Sequence, residues 1–84
     1  MEYKVLIRLY IPEIEQNYEI YIPINKTISQ VLVMLNKLVK NISGDMYPEK
    51  NNLKLYNRRT MEQYNLKDVV RNTTIRNGTE LVIQ

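Results

Sequence analysis

The stretch Lys26-Thr-Ile-Ser-Gln-Val-Leu-Val-Met-Leu-Asn-Lys-Leu-Val-Lys-Asn-Ile42 decides the fold, because it is the one long segment with helical periodicity. Ile28, Val31, Leu32, Leu35, Leu38, Val39 and Ile42 recur at three- and four-residue steps, so they share one broad helix face. The spacing predicts a helix over about 27–42. Thr27 can accept from the backbone N–H of Gln30 while the Gln30 side chain reaches back to the Thr27 N–H, a capping box. Gly44 supplies the positive φ with which helices often end. One helix with a wide apolar face is not stable alone, so the flanking segments must supply a sheet for it.

Those flanks read as strands. Tyr3, Val5, Ile7, Leu9 and Ile11 alternate with Lys4, Leu6, Arg8 and Tyr10, giving a half-buried strand whose first set faces inward. Pro12 to Asn17 makes a turn, and Tyr18, Ile20, Ile22 and Ile24 then alternate with Glu19, Tyr21 and Pro23 in an edge strand. After Gly44, a polar connection runs to Asn52, with Met46 and Tyr47 placed under the helix. Leu53 to Tyr56 is a third strand. Met61 is expected in the core, and Leu66, Val69 and Val70 in a short helical turn capped by Asn65. Asn77-Gly78 is a turn signal, and Glu80 to Gln84 is the last strand, with Leu81 and Ile83 inward and Val82 outward. The fold class is therefore α+β: a single domain over 1–84, of ββαββ order, with a mixed four- to five-stranded sheet on one main helix and the last strand beside the first.

Composition narrows the chemistry. The 84 residues include neither cysteine nor histidine, which removes thiolate metal sites, disulfides, the Cys nucleophile and the usual neutral-pH base. Glu13 with Glu15, and Ser29 with Lys37, lack any supporting constellation, so no enzyme activity, metal or cofactor is expected. Twelve basic residues against nine acidic give a net charge of +3, a mild excess that permits nucleic acid without indicating it. No leader-like segment and no apolar run near the roughly 20 residues of a membrane span occurs, and a cytoplasmic protein is expected. Sequons at Asn25, Asn41, Asn72 and Asn77 are what an Asn-rich chain makes by chance.

The order of elements, Thr27-Ile28 opening the helix, and the closing pattern Leu66-Lys-Asp68 followed by Ile75, Gly78, Leu81 and Ile83 resemble ubiquitin-like β-grasp domains over nearly the whole chain. A few extra residues separate Asp68 from Ile75. The sequence stops at Leu81-Val-Ile-Gln84 without the Gly-Gly tail of the conjugated modifiers, so covalent attachment is not expected. Lys54 stands where the family has an outward isoleucine, which leaves ordinary ubiquitin readers little apolar surface. The Tyr-x-Ile-x-Ile-Pro second strand, the Val/Leu-rich helix and the Ile75-x-x-Gly78 turn resemble the bacterial YukD and EsaB group. That resemblance implies a non-covalent accessory or regulatory component of a type VII secretion system, with a protein of the secretion machine as partner.

Leu6, Arg8, Tyr10, Tyr21, Lys54, Tyr56 and Val82 fall on the outward face of the expected sheet and form the candidate protein-interaction surface, Tyr and Arg being residue types enriched at interfaces. Leu6, Tyr21 and Val82 are expected to cluster. Against this, singly exposed apolar residues are normal, and tyrosines cover sheets in many folds. Val33 and Met34, off or at the margin of the core stripe, are candidates for a weak homodimer contact. The alternative function is an RNA-binding β-grasp domain in which Lys54, Arg58, Arg59, Lys67, Arg71 and Arg76 track phosphates while Tyr56 stacks on a base. A solvated charged surface interrupted by Glu62 and Asp68 explains the same residues.

Overall fold

In the computed structural model, which describes residues 3–48 and 50–84, four strands and one helix form two layers. β1 (Lys4–Ile11) and β2 (Gln16–Pro23) are an antiparallel hairpin, α1 (Ile28–Ile42) crosses the sheet, and β3 (Leu55–Asn57) and β4 (Glu80–Ile83) complete it in the order β2-β1-β4-β3. The central pair β1 and β4 is parallel, with Leu9 opposite Leu81. That places the last strand beside the first, as the sequence requires.

The helix is fixed at both ends by its own sequence. Thr27 Oγ1 accepts from the Gln30 N–H at 3.2 Å and Gln30 Oε1 accepts from the Thr27 N–H at 2.9 Å, completing the capping box. The next free donors are met from far along the chain: the Ile28 N–H donates to the Asp68 carbonyl and the Ser29 N–H to that of Leu66. At the other end Gly44, at φ +65°, turns the chain so that its N–H meets the Asn41 carbonyl and the Asp45 N–H meets that of Lys40, the Schellman pattern. Between these ends Ile28, Val31, Leu32, Leu35 and Val39 are buried against Ile7, Leu9, Ile11, Ile22, Leu55, Leu81 and Ile83.

Several expected core positions are filled differently. Ile42 belongs to the helix but is exposed, because its turn extends past the sheet, and Leu38 is half-buried. Tyr3 is also exposed. Only the second residue of the Met46-Tyr47 pair tucks in: Tyr47 is 2% exposed, with the Lys50 ammonium 5.9 Å from its ring centroid. Met61 is not core; it sits at φ +60° in the turn after β3 and is 54% exposed. Tyr64 fills that space, its hydroxyl accepting from Asn57 Nδ2 at 3.1 Å and lying 3.0 Å from Thr74 Oγ1. The expected helical turn is a 3₁₀ segment at Val70–Asn72 that buries Val70, whereas Leu66 is exposed and Asn65 caps only an Asx turn, through Lys67 N–H. The extra residues after Asp68 are absorbed in that segment.

Candidate protein-interaction surface

The outward sheet face is built by register. Leu6, Arg8 and Tyr10 of β1 stand opposite Tyr21, Glu19 and Asn17 of β2, and Arg8 and Tyr10 stand opposite Glu80 and Val82 of β4. Tyr56 of β3 stands on the other side of Val82. The face therefore carries three cross-strand rows: Tyr21 and Leu6; Glu19, Arg8 and Glu80; and Asn17, Tyr10, Val82 and Tyr56. Successive rows along a strand are about 7 Å apart.

This arrangement corrects the expected cluster. Leu6 and Tyr21 are partners, Tyr21 being 61% exposed and Leu6 half-buried, but Val82 lies two rows away beyond the charged row. Val82 is also only 4% exposed, held between Tyr10 and Tyr56. It is a floor for the face and not a free contact residue. Arg58, leaving β3, crosses the outer side of β4 to place its guanidinium 4.3 Å from the Tyr10 ring centroid and to donate to Asn17 Oδ1 at 2.9 Å. A delocalised cation over an aromatic face is attracted by the ring quadrupole, so this side chain straps three strands together. Sequence reasoning placed Arg58 in a basic group and missed the strap. Its signal was there in principle: position 58 continues the outward parity of Tyr56 across a turn.

The two apolar rows are thus divided by a strip of Arg8, Glu19 and Glu80, none of which closes an ion pair among the described residues. Such charges remain available to a partner. The Leu6 end is shaped by the turn before β4, where the Leu6 N–H donates to Asn77 Oδ1 at 2.8 Å and its carbonyl accepts from Gly78 N–H at 2.7 Å. Gly78 takes φ +86° there, a conformation that explains glycine at this position. Lys54 is exposed, and its backbone exchanges two hydrogen bonds with Gln84.

The basic group does not form one surface. Arg58 is committed to Tyr10 and Asn17, and Arg76 donates to the carbonyls of Thr73 and Ile75. The Arg71 N–H is bonded to Ile24 after β2, on the edge of the sheet opposite β3 and Arg58. Val33 is 58% exposed on α1, while Met34 packs partly against the core. Among the described residues no three His, Cys, Asp or Glu side chains converge as a metal site, and no helix is long and apolar enough to cross a membrane.

Neither a protein-family model nor a curated protein sequence matches the chain. Solved structures do. A ubiquitin-like domain of an Arabidopsis thaliana protein superposes with a TM-score of 0.69 at 15% identity, over 99% of this chain and 78% of that one. The fold is ubiquitin-like. A chain from a study of molecular mimicry of SUMO in DNA repair matches with a TM-score of 0.78 at 13% identity, over 100% of this chain and 94% of that one. A chain of the ESX-5 inner membrane complex matches with a TM-score of 0.81 at 15% identity; this chain covers 21% of it and is itself covered to 99%. At these identities the likeness establishes the fold.

Proposed function

We propose that the chain is a non-covalent ubiquitin-like interaction module, an accessory or regulatory component of a bacterial type VII secretion system, and that it engages a protein of that machine through the outward face of its sheet. The observation that carries the choice of face is the exposed Tyr21 with half-buried Leu6 beside a strip of Arg8, Glu19 and Glu80 that closes no ion pair among the described residues. Apolar anchors next to available charges favour a protein partner, because the anchors supply burial and the charges fix register. The fold-level likeness to a chain of the ESX-5 inner membrane complex supports the secretion part of the reading, as does the resemblance of the second strand and helix to the YukD and EsaB group.

Affinity purification of the chain from its own organism, with a photo-crosslinking side chain at position 21 and, separately, at exposed position 46, tests the reading. A crosslink from position 21 to a secretion-complex subunit, absent from position 46, supports it. Crosslinks of equal yield from both positions, or none to any secretion component, would overturn it.

A further inference from the structure

A second surface lies on the other side of the molecule and is independent of the sheet face. Between α1 and the segment leading into β3 runs a cleft of about 430 Å³ with Leu32, Val33, Leu53 and Leu66 as its apolar lining. Its shape follows from where the chain leaves the edge of β3. Residues 62–64 run alongside β3, with the Asn57 N–H donating to the Glu62 carbonyl and the Tyr64 N–H to that of Leu55. The chain then departs to pin Leu66 and Asp68 to the start of α1. Leu53, two residues before Leu55, is left without that cover.

The side chain of Leu53 is buried in the core, but its backbone, just before β3, is an unpaired edge one residue long, between Asn52 at φ +63° with the Asn36–Lys50 hydrogen bonds on one side and the cover of Tyr64 on the other. Lys54 exchanges hydrogen bonds with Gln84 of the β4 side at 2.9 and 3.2 Å, so the N–H and C=O of Leu53 point the opposite way, toward the cleft. Neither group has a hydrogen-bond partner among the described residues. An unpaired donor and acceptor at the rim of an apolar groove is the arrangement that β-strand addition satisfies: main-chain bonds give affinity and alternate side chains fill the groove. Among the described residues, the charged ones lining the cleft are Lys37 and Lys50. Lys50 already pairs with Glu13, whereas Lys37 has no ion-pair partner among the described residues. A second copy related by a two-fold axis would set these lysines against each other. An acidic occupant is complementary.

We propose that this cleft binds an extended segment of another protein, aliphatic at alternate positions and flanked by carboxylates, as an added strand on Leu53. The inward side chains of such a segment meet Leu32, Val33 and Leu66, and its acidic end meets Lys37. The exposure of Val33 and Leu66, which the core does not require, then has a use.

The test is an NMR titration of the isotope-labelled full chain with the blocked peptide acetyl-Asp-Val-Thr-Leu-Thr-Val-Asp-amide. The expected result is saturable shifts centred on the Leu53 amide and on Ser29, Val33 and Asn36, at peptide concentrations below about 2 mM. Two versions N-methylated at the central Leu or the following Thr distinguish main-chain pairing from greasy contact, and one of them should lose about tenfold or more in affinity. Lys37→Glu, an exposed change that leaves the fold intact, should weaken binding roughly threefold at low salt. The proposal is overturned by shifts centred on Asn17 to Tyr21 of the β2 edge, by both N-methylated peptides binding like the parent, by no shift at about 2 mM, or by concentration-dependent shifts of these residues without peptide.

Discussion

Replacing Arg58 by Ala should destabilise the protein by more than an ordinary surface change, because the side chain holds three strands. Its guanidinium lies 4.3 Å from the Tyr10 centroid, an exposed cation–π contact worth about 0.5–1 kcal/mol. Its 2.9 Å bond to Asn17 adds about 0.5 kcal/mol, the lower end for a hydrogen bond because water competes at this exposed site. Together the expected loss is about 1–1.5 kcal/mol. For an 84-residue domain that lowers Tm by roughly 5–10 °C. Thermal and urea unfolding followed by circular dichroism measure this directly. A double-mutant cycle with Tyr10→Leu isolates the ring contact and should give a coupling of about 0.5–1 kcal/mol. Arg58→Lys should fall between wild type and Ala, since an ammonium keeps charge but loses the planar fork. A loss below about 0.3 kcal/mol with no coupling would refute the strap.

Tyr64→Phe removes a hydroxyl shared by Asn57 and Thr74 and should cost about 1–2 kcal/mol; hydrogen exchange should quicken at Arg59 and Thr60, whose N–H groups both rest on Asn57 Oδ1. Met61→Gly should stabilise by roughly 0.5–1 kcal/mol in urea unfolding, because a non-glycine residue is held there at φ +60° with its side chain largely in water. Burial, reinforced by the Glu13 carboxylate, raises the Tyr47 hydroxyl above its ordinary 10.0. The folded state therefore holds that proton more tightly. The resulting stability is fully present below pH 10.0 and is lost as pH rises through the raised value. Urea midpoints measured across that window should fall more steeply for wild type than for Tyr47→Phe, and identical slopes would contradict the assignment.

What the sequence made legible was whatever a local rule determines. The capping box at Thr27 and Gln30, the Gly44 terminus and the periodic stripe from Ile28 to Val39 are set by short-range stereochemistry, and all form as expected. The pairing of the first and last strands also followed, since few topologies close so short a chain. Misreadings came where a distant contact decides. Met61 and Tyr64 are both large residues beside a turn, and the hydroxyl of Tyr64, bonded with Asn57 and Thr74, lets Tyr64 take the interior place. Ile42 obeys the helical period but outruns the sheet beneath it. On the candidate face, parity placed Leu6, Arg8, Tyr10, Tyr21 and Val82 on the correct side. Register, which parity does not fix, set Val82 opposite Tyr10 and away from Leu6.

Complementation of a deletion strain with sheet-face and helix-face variants tests the choice of face most directly. Leu6→Ser with Tyr21→Lys alters one row of the outward face, and Ile42→Ser alters an exposed residue in the last turn of α1, outside the cleft. With both proteins shown to be folded by circular dichroism, the Ile42 variant should restore export by the proposed secretion system as wild type does, and the Leu6/Tyr21 variant should not. Full export with the Leu6/Tyr21 variant would contradict a role for the sheet face.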